Sequence, residues 1–337
     1  MRLERCRIRS VRVQAERIPK PFLSVSLGVW LSVFGLCGSL VSENSKTWHE
    51  ADGYRWRALT VSESNQVGFV PMTDGGSGVD FINALSDQRA AENQIRLLGS
   101  GVALGDVDGD GDVDLYCARL EGDNVLFLNR GGGRFEAADS GPIACPNQDS
   151  MGCAFADLDG DRDLDLLVTS LGGGIRFFKN DGAGEFIQVR NAGLHESGAA
   201  TSIACGDLDG DTDLDIYVTM YRSKTIRSTG LEMLLVNGQR VLKPEDRETM
   251  YITEDGFLRE HGEIDAVYFN DGNGFFTKQR WSSGAFLDEN GMPVSDPKDW
   301  GLAVGIRDPN NDRLPDIYTC NDFWSPDRLW INEGGGT

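Results

Sequence analysis

The sequence predicts an all-β fold assembled from repeated four-stranded units, and three observations lead to this prediction. An aspartate-rich loop of nine residues occurs four times, starting at Asp106, Asp157, Asp207 and Asp308, so that successive starts lie 51, 50 and 101 residues apart. Short apolar runs flank each loop, and an Asn-x-Gly-x-Gly turn follows in each copy. A period near 50 residues is typical of repeat architectures in which each unit packs against the next.

The elements of one repeat follow the same order in every copy. In the first copy, "GVALG" precedes the aspartate loop, "LYCA" follows it, and "VLFLN" leads into the glycine turn "NRGGGRF". Glycine accepts the positive φ that such a tight turn requires. Each repeat therefore supplies four short strands, which predicts a β-propeller with blades of about 50 residues. A parallel β-helix is the structural alternative, although its repeats are usually shorter.

Four copies predict a partial ring of about four blades. From the last Asp of the loop to the turn Asn there are 15, 15, 55 and 16 residues, so blade three carries an insertion, at about 221–265. The final "NEGGGT" stops one residue before the Phe that follows the turn in the other copies. We therefore expect the last blade to lack its outer strand and the chain to be the N-terminal part of a longer protein.

The first 42 residues differ in composition from the rest. Seven basic residues precede an apolar stretch at 22–41 that ends in small residues. This order is typical of an export signal, and 20 residues could also span a bilayer as an uncleaved anchor. We predict a signal peptide or N-terminal anchor at 1–42, an exported protein (periplasm, cell surface or extracellular space), a segment at 43–99 that leads into or closes the propeller, and the repeats at 100–337.

The charge of the chain restricts its partners. The net charge is −21, and after residue 42 there are 25 basic against 51 acidic residues. Nucleic-acid binding needs a basic surface, so we predict no nucleic-acid partner and membrane contact only through the N-terminal segment. Five cysteines follow residue 42, an odd number that cannot all pair within the chain.

Alternating oxygen ligands make each aspartate loop a candidate metal site. Positions 1, 3, 5 and 9 of the loop are Asp in three copies, with Asn only at position 3 of the fourth, and position 7 is Asp in three copies but Leu314 in the fourth. Ca²⁺ takes six to eight oxygen ligands, whereas Mg²⁺ keeps several waters. The candidate ligands are Asp106, Asp108, Asp110, Asp112, Asp114, Asp157, Asp159, Asp161, Asp163, Asp165, Asp207, Asp209, Asp211, Asp213, Asp215, Asp308, Asn310, Asp312 and Asp316.

The loop is not an EF-hand, because position 12 is never Glu and strands flank it. The tolerance of Leu314 at position 7 fits a backbone carbonyl ligand there. Gly109, Gly160, Gly210 or Asn311 at position 4 are residues that tolerate left-handed backbone. An Asp/Gly-rich turn that binds nothing is the alternative, but four such loops in register with the repeat predict about four Ca²⁺ ions.

With these motifs in place, residues 53–337 resemble FG-GAP/VCBS repeat proteins, whose blades carry calcium loops of the integrin α-subunit propeller type. Three segments, "GSGVALGDVDGDGDVDLY" (99–116), "YRSKTIR" (221–227) and "CNDFWSPDRLWIN" (320–332), are similar to bacterial proteins related to cartilage acidic protein, the ASPIC/UnbV family. The resemblance implies an exported calcium-binding scaffold, with the ASPIC/UnbV segment beyond residue 337. Many members have Gly at position 6, where this chain has Gly111, Arg162, Thr212 and Arg313.

The strand order places a partner site on the face opposite the aspartate loops. The loops and the glycine turns share one face, so the blade-three insertion and the longer link into blade four fall on the other. Insertions on one face of a repeat array often mark its binding face, although they can also be tolerated decoration. A protein or glycan ligand could stack on the aromatic residues of that face: Trp281, Phe286, Trp300, Phe323 and Trp324.

The sequence favours a binding, adhesion or scaffold role over an enzyme. None of the three histidines, His49, His195 and His261, lies in a catalytic motif, and we assign no catalytic residue. A calcium-dependent polysaccharide lyase or hydrolase on a propeller is the alternative. A basic residue beside aromatic side chains on the variable face would favour the lyase, whereas a flat face would favour adhesion.

Overall fold

The computed structural model describes residues 8–11, 49–51, 54–56, 76–195 and 197–334. The chain divides into two compact units, one of residues 1–14 with 73–337 and the other of residues 15–72. Strand β1 (Ile8–Val11) belongs to the larger unit. In the smaller unit, the described residues form one antiparallel hairpin, β2 (His49–Ala51) with β3 (Tyr54–Trp56). The predicted apolar segment at 22–41 lies outside the described residues.

The larger unit is a partial β-propeller of four blades, as the repeats predict. Helix α1 (Asp87–Glu92) and a 3-10 helix (Gln94–Leu98) precede the blades. Blade one consists of β4 (Val102–Gly105), β5 (Asp114–Cys117), β6 (Val125–Asn129) and β7 (Phe135–Ala137). After a 3-10 turn (Gly141–Ala144), blade two consists of β8 (Ser150–Ala156), β9 (Asp165–Gly172), β10 (Gly174–Asn180) and β11 (Phe186–Gln188).

Blade three is interrupted by the predicted insertion between its second and third strands. It begins with β12 (Gly198–Gly206) and β13 (Asp215–Met220). The insertion holds α2 (Ile226–Thr229), the hairpin β14 (Met233–Val236) with β15 (Gln239–Leu242), a 3-10 turn (Pro244–Asp246), and the hairpin β16 (Met250–Ile252) with β17 (Leu258–Glu260). Strands β18 (Ala266–Asn270) and β19 (Phe276–Lys278) complete the blade.

Blade four follows a link that contains a 3-10 turn (Trp281–Ser283) and strand β20 (Phe286–Leu287). It consists of β21 (Gly301–Arg307), β22 (Asp316–Asn321) and β23 (Arg328–Asn332). Strand β1 pairs antiparallel with β23, at the position that β7, β11 and β19 hold in the other blades, and parallel with β20. A strand from the start of the chain thus lies where sequence analysis expected a gap.

The hydrophobic core lies between the blades. Every residue of β13 is buried, because its side chains alternate between two neighbouring blades. Ile216 and Val218 pack with Leu167 and Phe177 of blade two, whereas Tyr217 packs with a cluster of blade four that includes Trp330. The short apolar runs of each repeat therefore bury both faces of a blade only when the blades stand side by side.

A plug formed by α1 and the 3-10 helix closes the core at the end of the strands opposite the aspartate loops. Ile95 packs in a buried cluster with residues of all four blades, among them Leu120, Met151, Tyr221 and Trp300. The Asn93 side chain donates a 2.7 Å hydrogen bond to the carbonyl of Arg222. The predicted segment at 43–99 therefore contributes core residues to the propeller in its described part.

No helix among the described residues is long and apolar enough to cross a membrane. The five cysteines after residue 42, Cys117, Cys145, Cys153, Cys205 and Cys320, are free thiols. Burial raises the pKa of Cys153 and of Cys205 to about 12, so both thiols stay protonated and act as small apolar side chains.

Candidate metal centres

Each aspartate loop turns tightly between the first and second strands of its blade. Position 4 has positive φ in all four loops, as predicted, and so does position 6, which is Gly111, Arg162, Thr212 and Arg313. The position 6 N–H donates to Oδ2 of the first Asp at 2.9 to 3.1 Å. This hydrogen bond holds the left-handed backbone even where the residue carries a Cβ, a conformation that is uncommon for such residues.

The last Asp of each loop is buried and anchored by backbone N–H groups. In loop three, Asp215 Oδ2 accepts from Leu208 N at 2.8 Å and Oδ1 accepts from Asn270 N at 2.9 Å. Asp114 and Asp165 accept the same pair of bonds in loops one and two. Position 9 is therefore a fixed point that ties the loop to the third strand of its own blade.

Three groups of carboxylates result, each able to hold a metal ion. Within each group, one oxygen from each of three aspartates lies within 4.8 Å of the other two. The groups combine positions 1, 3 and 9: Asp106, Asp108 and Asp114; Asp157, Asp159 and Asp165; Asp207, Asp209 and Asp215. The structure thus brings together nine of the predicted ligands at three equivalent places.

Two oxygens of these groups are buried without a hydrogen-bond partner among the described residues: Asp106 Oδ1 and Asp159 Oδ1. A buried carboxylate oxygen without a donor is costly unless a cation compensates it. All the donors are oxygens, the ligand type that hard cations prefer. The residues present therefore fit a hard divalent cation at these loops.

Burial raises the pKa of the anchoring carboxyls. The pKa of Asp165 rises to about 6 and that of Asp215 to about 7, in both cases chiefly through desolvation and against the effect of the backbone hydrogen bonds. Burial also raises the pKa of Asp114 and of Asp316. Like charges in each loop add to the rise, so the groups carry electrostatic strain that a cation would relieve.

The carboxylates at positions 5 and 7 are not part of these groups. Asp110, Asp161 and Asp211 are exposed, and each accepts a hydrogen bond of 2.9 to 3.0 Å from the N–H of position 7. The carboxylates at position 7 lie against the turn glycines of their own blades, Asp163 against Gly182 and Asp213 against Gly272. Their side chains face the glycine turns, an arrangement compatible with a backbone ligand at position 7.

Loop four differs from the others. Asp308, Asn310 and Asp312 are exposed, and the Asn310 amide donates to Asp312 Oδ2 at 2.9 Å. Position 2 is Pro309, which has no N–H to donate, so Asp316 Oδ2 is buried without a hydrogen-bond partner in the described part of the chain. Asp316 Oδ1 still accepts from Asn332 N at 2.8 Å. The fourth predicted site keeps its anchor but does not form a compact carboxylate group.

Basic side chains lie against two of the loops. The Lys179 ammonium contacts Asp159, and it lies 3.1 Å from Asp161 Oδ2. Hydrogen bonds to these two carboxylates raise the pKa of Lys179. At loop one, the Arg130 guanidinium lies 3.5 Å from Asp108 Oδ2. Neither residue was predicted to contact a loop.

The turn asparagines connect the loops of neighbouring blades. Asn180 Nδ2 donates to Val107 O of loop one at 2.8 Å, and Asn270 Nδ2 donates to Leu158 O of loop two at 2.8 Å. Asn332 Nδ2 makes the corresponding bond to Leu208 O of loop three at 2.9 Å. Each of the first three loops is thus held both by its own blade and by the next.

The opposite face carries a cleft of about 250 Å³ between the plug, the blade-three insertion and the loop between β22 and β23. Its aromatic lining is Tyr221, Tyr251, Trp300 and Trp324. The Arg259 guanidinium stacks on the Trp324 ring at 4.3 Å and on the Phe257 ring at 5.6 Å. Arg227 also lines the cleft.

The five aromatic residues predicted on this face separate into two classes. Trp281, Phe286 and Trp300 are buried, whereas Phe323 and Trp324 are exposed and stand at right angles, with ring centroids 5.0 Å apart. Tyr251, Phe257 and Arg259, which sequence analysis did not identify, come from the insertion. Their position beside Trp324 depends on the fold of the insertion, for which the repeat pattern provides no signal.

Residues 106–168 and 157–218 match the family model of the FG-GAP-like repeat. The chain is 35% identical over 81 residues to cartilage acidic protein 1 of Homo sapiens, and 32% identical over 81 residues to that of Mus musculus. Each match covers 24% of this chain and spans 12% of the length of the relative. The biofilm matrix protein Bap1 of V. cholerae aligns over 65% of this chain and 34% of its own, with a TM-score of 0.29 and 17% identity.

Proposed function

We propose, on the premise that this chain is an FG-GAP repeat protein, that it binds Ca²⁺ in its aspartate loops and acts as an exported binding protein. One observation carries the calcium assignment: three loops repeat the same group of three carboxylates with the same backbone anchors. Ca²⁺ would cross-link positions 1, 3 and 9 of each loop and so rigidify the turn between two strands. Loop four, with Asp308, Asn310, Asp312 and Asp316, would be the weakest of the four sites.

The thermal unfolding midpoint of the full chain tests this proposal. A ligand that binds the native state alone stabilises it by an amount that grows with concentration. We expect millimolar Ca²⁺ to raise the midpoint by many degrees relative to excess chelator, and the same concentration of Mg²⁺ to raise it much less. An equal midpoint in Ca²⁺ and in chelator, in a cooperatively folded sample, would refute calcium binding.

Two variants of loop three test which of its carboxylates bind Ca²⁺. Asp209→Asn removes a member of the loop-three group, so we expect it to reduce the Ca²⁺-induced rise of the midpoint. Asp213→Asn is the matched control, because the Asp213 carboxylate lies against Gly272 instead. We expect this control to keep the rise. An equal loss in both variants would contradict the ligand assignment while leaving calcium binding in place.

The N-terminal segment supports export. Its basic residues and the apolar stretch at 22–41 have the order of a signal sequence. Cleavage after this stretch would also remove β1 from its place beside β23, whereas an uncleaved anchor would retain it. Mass spectrometry of the N-terminus of protein recovered from the cell envelope and the medium distinguishes the two, and recovery from the cytoplasm alone would refute export.

The partner site is assigned to the face opposite the loops. The cleft beside Trp324 is the concave, partly aromatic surface that a ligand site requires, and it is built from the insertion that interrupts the repeat. In this arrangement calcium stabilises one face of the blades and the partner, a protein or a glycan, binds the other. Partner binding that persists in Asp209→Asn but fails in Trp324→Ala would support the separation of partner binding from stabilisation by calcium.

A second function is favoured by the cleft. The face is not flat, and Arg227, Arg259, Tyr251 and Trp324 all line the cleft. Basic and aromatic residues on this face are what a polysaccharide lyase would need. Incubation of the full chain with acidic polysaccharides in Ca²⁺, followed by size analysis of the products, tests this. Shortened polysaccharides that are not formed with Arg259→Gln would support catalysis. Polysaccharides of unchanged length would support the binding role only.

A further inference from the structure

The cleft on the opposite face holds carboxylates that are already paired and arginines that are not. Three carboxylates line it, and each already has partners. Glu92 Oε2 lies 3.2 Å from Arg96 Nη1, and Glu260 Oε1 lies 3.2 Å from Arg222 Nη2. Asp322 accepts hydrogen bonds from the Tyr221 hydroxyl at 2.8 Å and from Phe323 N at 2.7 Å.

The two arginines of the cleft have no such partners. Neither Arg227 nor Arg259 makes an ion pair with any residue that the structure describes. Within the described ranges, the Arg259 side chain makes one hydrogen bond, to the carbonyl of Leu258 at 3.4 Å. In a chain of net charge −21, two guanidinium groups in one concave site are a local positive charge that no carboxylate of the described residues neutralises through an ion pair.

The stacking of Arg259 leaves its N–H groups available. Its planar face is covered by the Trp324 and Phe257 rings, which orients the guanidinium and reduces the freedom it loses on binding. The N–H groups at its edge can then bind a carboxylate through two parallel hydrogen bonds. An anion held in this way would lie beside the exposed Trp324 ring.

The remaining lining suits hydroxyl groups. Gln94 is exposed at the cleft, and its Nε2 donates to the Tyr221 hydroxyl at 3.2 Å. Amides and carboxylates together offer donors and acceptors, and each sugar hydroxyl can use one of each. The exposed rings of Trp324 and Tyr251 offer apolar surface on which the C–H face of a sugar ring can pack.

We propose that this cleft binds a carboxylate-bearing sugar of an acidic glycan, with Arg259 and Arg227 on the carboxylate and Trp324 under the sugar ring. This inference rests on the proposed binding role of the opposite face and names its ligand class. A neutral glycan would leave both guanidinium groups uncompensated. An acidic peptide would satisfy the arginines but would not use the combination of exposed ring and hydroxyl-binding groups.

Titration calorimetry with the full chain at a fixed free Ca²⁺ concentration tests the proposal. The probes are oligomers of galacturonate, of mannuronate and of glucuronate, with the methyl ester of the galacturonate oligomer as the neutral match and polyglutamate as the acidic peptide. We expect at least one uronate oligomer to bind, and its binding to fall at least about tenfold in Arg259→Gln and in Trp324→Ala, since a bidentate pair and a stacked ring are lost. The ester should bind at least about tenfold more weakly than its acid.

Arg134→Gln is the matched control, because Arg134 is an exposed arginine in the glycine turn of blade one, on the face of the loops. We expect it to bind the uronate oligomer as the unaltered chain does. No binding of any of the three oligomers would overturn the proposal, as would equal binding of acid and ester. Binding of polyglutamate in their place, with the same sensitivity to Arg259→Gln, would overturn it in favour of an acidic peptide.

The unfolding midpoint of the same samples separates this proposal from the calcium assignment. A Ca²⁺-dependent midpoint without uronate binding would refute the ligand class and leave the calcium sites standing. Uronate binding that depends on Arg259, in a chain whose midpoint does not respond to Ca²⁺, would support the cleft and refute the calcium sites.

Discussion

Asn180 of blade two donates a hydrogen bond of 2.8 Å from its Nδ2 to the backbone carbonyl of Val107 in the aspartate loop of blade one. The same nitrogen donates to Leu164 O in its own loop at 3.1 Å, and Asn180 N donates to Asp165 Oδ1 at 2.9 Å. One residue therefore fixes two aspartate loops in different blades. The arrangement explains why the turn begins with Asn in blades two to four: the side chain donates to two loops, and its backbone N–H anchors position 9.

Replacement of this bridging side chain should destabilise the propeller. Asn180→Ala removes two donated hydrogen bonds and one accepted from Gly184 N, and it leaves the buried Val107 carbonyl without that donor. We expect a loss of roughly 2–4 kcal/mol in the free energy of unfolding, measured by urea denaturation.

Asn129→Ala in blade one is the matched control. Among the residues that the structure describes, the Asn129 side chain donates only to Val113 O of its own loop, at 3.0 Å, and accepts from Gly131 N. Because two hydrogen bonds are lost instead of three, and none of them joins another blade, we expect about two thirds of the destabilisation of Asn180→Ala, in proportion to the bonds removed. Equal losses would show that the inter-blade bond contributes little.

The left-handed backbone at position 6 predicts that substitution by glycine there stabilises the folded chain. Thr212 has a φ of 82°, a conformation that is costly for a β-branched residue. We expect Thr212→Gly to raise the free energy of unfolding by roughly 0.5–1 kcal/mol, since the relief of strain exceeds the added entropy of the unfolded chain. Urea denaturation in excess chelator measures the change without a contribution from metal.

Thr277→Gly is the control for this change. Thr277 lies in β19, where glycine usually costs about 0.5–1 kcal/mol through chain entropy. The two substitutions are chemically identical and should have opposite signs. A loss of stability in both would mean that the loop relaxes its strain in another way.

The repeat pattern predicted the blades because its information is local. Each Asp loop, apolar run and glycine turn specifies a hairpin within about 50 residues, and equivalent hairpins can pack only side by side. The left-handed position 4 followed in the same way from the residue types at Gly109 and Asn311. The register of β5 with β6, in which Leu115 pairs with Phe127, is set by these same short distances along the chain.

Contacts between distant parts of the chain were not predictable from the repeat. Trp281 and Phe286 were assigned to a binding face because the link is long, but the link folds back and Trp281 donates to Asp265 O at 2.8 Å in the core. Arg259 and Trp324 are far apart in sequence and meet only through the insertion. Pro309 lacks the N–H that position 2 of the other loops donates to the Asp at position 9. This hydrogen bond does not follow from the predicted metal ligands, so its loss in loop four was not predicted.

Lys179 should act as a competitor of the metal in loop two. Its ammonium group lies between Asp159 and Asp161, whereas the residue before the turn Asn is Leu128, Phe269 or Ile331 in the other blades. Lys179→Met keeps the length of the side chain and removes the charge. We expect Ca²⁺ to bind loop two several-fold more tightly in this variant, because a like charge beside the ion is removed.

The effect of Lys179→Met on stability should change sign with calcium. In excess chelator the carboxylates lose their counter-ion, and we expect a loss of up to about 1 kcal/mol, as for a largely exposed ion pair. In saturating Ca²⁺ we expect a gain. The unfolding midpoint in both buffers measures this, and a loss of the same size in both would show that Lys179 does not compete with an ion.

Asp265 should make the stability of blade three depend on pH. It is buried, and it accepts hydrogen bonds from Met220 N at 2.7 Å and from the Tyr217 hydroxyl at 2.9 Å. Burial nevertheless raises the pKa of Asp265 to about 7 in the folded chain. The protonated carboxyl is therefore favoured by folding, so its contribution to stability is complete below pH about 4 and is lost as the pH rises through 7.

Asp265→Asn removes this dependence. The amide can accept from Met220 N and donate to the Tyr217 oxygen, so the packing is retained while the charge is lost. Relative to the unaltered chain, we expect little difference at pH 4 and a gain on the order of 2–4 kcal/mol at pH 8, because one pKa unit corresponds to 1.36 kcal/mol. Denaturation at each pH in excess chelator measures the difference, and Asp123→Asn, at an exposed carboxylate, should show none. A difference that stayed constant between pH 4 and pH 8 would mean that Asp265 is ionised in the folded chain throughout this range.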